Sequence, residues 1–95
     1  MREQDALIGQ YTHENHRPRA DTALVTLRRI ASMVKPIMRQ RGWRVGTLSE
    51  FYPEQQNLLG LNYDYGQRIC IRLRYPRDQS LFLPFEGVVD TMLHE

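Results

Sequence analysis

Residues 68–74 read Arg-Ile-Cys-Ile-Arg-Leu-Arg, and no other stretch restricts the chain as tightly. A strict period of two sends successive side chains to opposite faces of an extended backbone, so this segment reads as a strand. Ile69, Ile71 and Leu73 share one face and need a core to cover them. Arg68, Cys70, Arg72 and Arg74 share the other, which is expected to be wet and basic. Such a strand requires neighbouring strands at its edges and a helix over its apolar face.

The helix is supplied upstream. Asp21 is a favoured N-cap residue, and Leu24, Leu27, Ile30, Ala31, Val34, Ile37 and Met38 recur at steps of three and four. Pro36 removes one backbone hydrogen bond and is expected to bend this helix, and Gly42 is placed to end it. Arg28, Arg29, Lys35, Arg39 and Arg41 occupy its other side, with Arg44 just beyond. They read as a solvated face, the late cations favoured by the negative helix end, or as a stripe for phosphates. Two further strands are expected at residues 43–51 and 58–62, with a turn at 64–66. Residues 75–80 read as a surface loop, and a last helix starts at Pro84 and buries Phe85, Val88, Val89, Met92 and Leu93. The expected architecture is α+β: a helix, a small three-stranded sheet and a second helix, preceded by a flexible lead-in over residues 1–20.

Composition narrows the function classes. A chain of 95 residues buries only roughly 60–65% of its unfolded surface, enough for one modest core. The net charge of +2 permits nucleic acid as a partner without requiring it. Cys70 is the only cysteine, so no internal disulfide can form, and a nuclear or cytoplasmic setting fits better than secretion. The apolar runs are a few residues long, too short for a membrane span.

Two histidine-glutamate pairs invite a metal reading. His13-Glu14 fails it, because the second histidine of a His-Glu-x-x-His motif would fall at Arg17. His94-Glu95 ends the last helix, where residues four apart share one face and two histidines could grip one ion. The second histidine would stand three residues past Glu95. A dipeptide alone is a weak signal.

The blocks "VGTLSEFYP", "LLGLN", "ICIRLR", "FLPFE" and "TMLHE" are stronger, because they occur in this order with a consistent spacing. Over roughly residues 21–95 the chain closely resembles the WLM family of metalloproteases, relatives of the Spartan proteases. The resemblance implies a zincin-like fold and a zinc-dependent endopeptidase that cleaves proteins crosslinked to DNA in DNA repair. It also implies links to SUMO or SUMOylated proteins, an AAA-class unfoldase and a nuclear location. By position, His94 resembles the first zinc ligand and Glu95 the general base; no residue is assigned to DNA contact. The family pattern continues as His-Glu-Leu-x-His and then a Gly-Pro-His segment, neither of which is present. The chain is therefore expected to hold the N-terminal portion of the domain, incomplete at its C-terminus, to bind zinc weakly and to lack peptidase activity.

Residues 68–74, if they form a sheet edge, could pair with an extended substrate while their arginines meet DNA or acidic groups. If they form a central strand, the arginines are ordinary surface cations. The alternative to an enzyme is a non-enzymatic basic α+β module that binds nucleic acid or a protein partner. In either case Val88, Val89, Met92 and Leu93 would make an adhesive patch if the packing partners of the last helix were missing.

Overall fold

The computed structural model describes residues 7–95. In chain order the elements are β1 (Ile8–Thr12), α1 (Ala20–Arg41), β2 (Val45–Phe51), β3 (Gly60–Tyr63), β4 (Arg68–Arg72), β5 (Arg74–Tyr75), β6 (Asp78–Phe82) and α2 (Phe85–His94). The fold is α+β, with a mixed four-stranded sheet ordered β1-β2-β4-β3 and a separate β5–β6 hairpin. β1, β2 and β4 run parallel, while β3 lies antiparallel to β4 at the edge.

Three expectations are corrected here. The sheet has four strands, because residues 8–12 form β1 and do not belong to an irregular lead-in; the first six residues of that expected lead-in lie outside the described ones. β1 is polar apart from its start, and its register is set across α1 by parallel pairing of Ile8 with Val45 and Thr12 with Ser49. Residues 75–80 are not simply a loop: they turn back as β6, which pairs Tyr75 with Asp78 and Arg74 with Phe82 through a bulge. Asp21 is not the N-cap. Arg19 holds that place with a left-handed backbone (φ 57°), and Asp21 sits in the first turn, where it favours the positive helix end.

The helices form much as their residues dictate. α1 runs unbroken through the exposed Pro36 and buries Ala23, Leu27, Ile30, Ala31, Val34 and Met38. It ends in a Schellman turn: Gly42 adopts φ 70°, and the amides of Gly42 and Trp43 donate to the carbonyls of Arg39 and Met38. Arg28, Arg29, Arg39, Arg41 and Arg44 are exposed, which suits a solvated face and a phosphate stripe alike. In α2, Val88 and Met92 are buried and Phe85, Val89 and Leu93 pack against the same core, so the apolar face of this helix is largely covered. That core joins both helices to Ile69, Ile71 and Leu73. Each fully buried Leu or Ile, such as Leu27 or Ile71, stabilises the fold by about 1.5–3 kcal/mol.

The second face of β4 departs furthest from expectation. Arg72 and Arg74 are 1% and 0% exposed, and Cys70 is buried. This side is covered because the β2–β3 connection and the β5–β6 hairpin fold over it and bring acceptors to two nitrogens of each guanidinium, while Arg72 Nη1 and Arg74 Nη2 are buried without a partner among the described residues. Arg72 donates through Nε to the Leu58 carbonyl (3.1 Å) and through Nη2 to those of Pro53 (2.9 Å) and Gln55 (3.1 Å). The Tyr52 ring centre lies 5.2 Å from its guanidinium carbon. Desolvation holds this guanidinium below its ordinary pKa, which for arginine still leaves it charged.

Arg74 forms an ion pair with Glu50 in which both side chains are wholly buried. Its Nη1 also donates to the carbonyls of Pro18 and Gln79, and Glu50 Oε1 accepts from the Glu14 amide at 2.8 Å. One ion pair thus ties β2, β5, β6 and the β1–α1 connection together. Removing either partner strands a charge without water, a loss of about 3–5 kcal/mol. Arg74→Met is therefore expected to lower the urea-unfolding free energy by that amount, while Arg39→Met on the exposed face changes it by less than about 0.5 kcal/mol. Equal, small effects for the two variants would contradict the role given to the pair.

Candidate active site

α2 presents His94 and Glu95 at its C-terminal end, both exposed. His94 Nδ1 lies 2.7 Å from the Asp90 carbonyl oxygen, one turn back. A carbonyl can only accept, so Nδ1 carries the proton in this contact, and in the neutral imidazole Nε2 keeps its lone pair. A hydrogen bond from the far ring nitrogen to a carbonyl is how metal-binding histidines are commonly oriented. The helix thereby fixes both the tautomer and the direction of the imidazole.

Glu95 lies against the edge strand. The carbonyl of Glu95 accepts from Asn62 Nδ2 at 2.9 Å, and Asn62 Oδ1 accepts from the Gly66 amide at 2.7 Å. Asn62 thus joins the end of α2 to the β3–β4 turn. Gly60 lets the two elements approach: a Cβ there would stand 3.0 Å from Glu95 Cδ and Oε2 and 2.9 Å from Thr91 Cγ2. A groove of about 430 Å³ opens beside Glu95, with Met38, Val45, Ile69 and Met92 among its apolar walls and Trp43 and Tyr65 at its rim.

Of the residues singled out in the sequence, His94 and Glu95 are neighbours at one helix end, as their adjacency requires. β4 is an inner strand between β2 and β3, so the exposed edge beside Glu95 is β3. Arg72 and Arg74 are buried and cannot meet DNA or an acidic substrate. Cys70 is a quiet thiol: burial raises its pKa, and Arg68 offsets that only in part. Glu14 accepts from Arg17 Nε at 2.9 Å, with His16 Nε2 3.8 Å away, so this pair braces a turn. Among the described residues, no three His, Cys, Asp or Glu side chains are gathered closely enough to hold a metal ion. Asn62 and Gly60 escaped the sequence reading, because only folding brings them to Glu95; their one signal was the "LLGLN" block.

Gly60→Val tests this packing. The added side chain must displace the Glu95 carboxylate and Thr91, so stability is expected to fall by about 1–3 kcal/mol. The Glu95 carboxyl carbon resonance should shift in the same variant. An unmoved resonance would show that the carboxylate does not rest on β3.

Comparison with known proteins identifies the family and the fold. The WLM domain family matches residues 6–95. The DNA-dependent metalloprotease WSS1 of Saccharomyces cerevisiae is 42% identical over 79 residues, covering 83% of this chain and 29% of that protein. The DNA-dependent metalloprotease WSS1 homolog of Schizosaccharomyces pombe is 39% identical over 69 residues, covering 73% and 25%. This chain thus spans less than a third of the length of these curated relatives. The crystal structure of Wss1 from S. cerevisiae superposes with a TM-score of 0.94 at 36% identity, covering 98% of this chain and 73% of that one. For Wss1 from S. pombe the values are 0.79 and 33%, covering 93% and 71%. With five sequence blocks in register and a shared fold, this chain belongs to the WLM domain family of metalloproteases.

Proposed function

We propose that this chain is the N-terminal portion of a zincin-like, zinc-dependent endopeptidase domain whose substrates are proteins attached to DNA. The observation that carries the reading is the orientation of His94: its Nδ1–H is held by the Asp90 carbonyl, and Nε2 is left to bind an electrophile. Glu95 follows directly and rests against a sheet edge. DNA enters through the relatives, which are DNA-dependent metalloproteases. A nuclear location follows from the same source. SUMO and an AAA-class unfoldase rest on family resemblance alone.

A catalytic zinc takes three protein ligands and keeps one position open. The described residues gather no such set, so His94 would be one ligand and the others would come from sequence beyond these 95 residues. No step through the metal follows from this chain. Its own residues supply two things. The Glu95 carboxylate can take a proton from an attacking water, the work of a general base. β3 offers unpaired backbone groups, so an extended peptide can add to the sheet beside Glu95. The substrate edge in this reading is β3, because residues 68–74 fall on the central-strand alternative. The non-enzymatic module loses two of its arginines to the interior, which removes much of its basis.

Two measurements test the reading. By calorimetry the 95-residue chain is expected to bind zinc weakly and, with zinc added, to leave casein uncut. Tight one-to-one zinc with turnover would show that these residues are sufficient and contradict the partial-domain reading. In a chain extended through the missing histidines, Glu95→Gln should lower kcat by about 10²–10⁴-fold with zinc content unchanged. Undiminished kcat would remove Glu95 from the chemistry.

A further inference from the structure

Arg72 is a buried cation without a counter-ion. Its side chain is 1% exposed, its three hydrogen bonds end on neutral carbonyls, and it joins no ion pair among the described residues. Nη1, which carries two N–H donors, is buried with no acceptor among them. Buried charges are ordinarily paired, because a lone unit charge in a water-free interior is costly. Arg74 makes the contrast: its Nη2 is likewise unpaired, yet Glu50 neutralises its charge, so a neutral water would satisfy it. Arg72 needs both an acceptor and a negative charge.

No neighbouring side chain delivers them. Glu50 is engaged by Arg74 and the Glu14 amide, and the Glu14 carboxylate by Arg17. Glu54 stands between the two residues whose carbonyls bind Nη2, but it is exposed and forms no ion pair among the described residues. The surroundings add positive charge instead. The Tyr52 ring centre lies 5.2 Å from the Arg72 guanidinium carbon and 4.2 Å from that of Arg17. The Tyr52 hydroxyl contacts the carbonyls of Tyr75 and Pro76, each at 2.9 Å. Those two residues, with Gln56, Asn57 and Arg77, line a cleft of about 420 Å³. The cage around Arg72 and this cleft therefore share walls: Gln55 binds the guanidinium and Gln56 faces the cleft, while Tyr52 touches both. Arg77, exposed, is the charged residue of the lining.

We propose that Arg72 Nη1 holds a small monovalent anion, chloride under ordinary ionic conditions, which enters from the cleft beside Arg77. Two donors and one unit of positive charge match such an ion. A phosphate group does not match, because it brings nearly two charges and more acceptor oxygens than two donors can serve. By completing the shell of Arg72 the ion fixes the β2–β3 connection that this guanidinium holds, and with it the start of β3. That a substrate edge beside Glu95 is steadied in this way rests on the peptidase reading; the ion site itself does not.

Chloride NMR tests the binding. The 95-residue chain should broaden the chloride resonance, and added bromide should compete that broadening away. Arg77→Gln should weaken the affinity about two- to fivefold, the effect of losing one exposed cation. Arg72→Met should abolish the competable broadening. Should that variant fail to fold, crystals of the parent chain grown in sodium bromide decide by anomalous scattering, with bromide expected in contact with Arg72 Nη1. At about five times the dissociation constant so measured, chloride should raise the thermal midpoint by about 4–8 °C over gluconate of equal ionic strength. No competable broadening, water at Nη1 with bromide only elsewhere, or equal midpoints in the two salts would each overturn the proposal. A halide dependence that emerges only in Glu54→Gln would overturn it in favour of Glu54 as the counter-ion. None of these measurements uses zinc or proteolysis, so the ion site can hold while the peptidase reading fails, and the reverse.

Discussion

A guanidinium with no access to water lies where four segments meet. Arg74 binds Glu50 inside the fold and reaches the carbonyls of Pro18 and Gln79, so β2, β5, β6 and the β1–α1 connection converge on one charge. Desolvating two ions is expensive, and a buried pair is weak evidence for net stability. What it does enforce is specificity: any arrangement that separates these segments leaves a charge unpaired in the interior. The apolar core under α1 and α2 stabilises compaction in general, whereas this pair selects which strands and loops come together.

Arg72 performs the corresponding work toward the site. By donating to the carbonyls of Pro53, Gln55 and Leu58 it folds the β2–β3 connection onto the sheet, and the Arg72 amide bonds Leu59 at 2.9 Å. β3 starts at the next residue. The edge strand is therefore delivered to Glu95 by a buried arginine two residues from the end of the core alternation. Gly60 permits the close approach, and Asn62 ties the strand to the end of α2. Sequence pattern, loop packing and site geometry form one connected chain of causes.

How much of this was legible beforehand depends on the range of each interaction. The stripe from Leu27 to Met38 and the cap at Gly42 are local, and both helices were readable within a few residues of their ends. β1 was not, because Ile8–Thr12 has no apolar period and acquires its partner only across the 22-residue α1. β6 was hidden because Asp78–Phe82 has no apolar period, although its partner β5 lies only a turn away. The alternation at 68–74 correctly assigned Ile69, Ile71 and Leu73 to the core, yet it misled about the arginines. A period of two says which side a residue faces and nothing about what covers that side. At the site, His94 and Glu95 stood out through the ordered family blocks, whereas Gly60 and Asn62 gain meaning only once β3 meets α2.

The claim on which the account turns is that buried Arg72 holds the edge strand in place beside the end of α2. Amide hydrogen exchange of Arg72→Met against the parent chain tests it most directly. The account predicts that protection disappears across residues 53–63 while the amides of α1 stay protected. Protection retained at residues 60–63 would contradict it, because the strand would then be fixed by something other than that guanidinium.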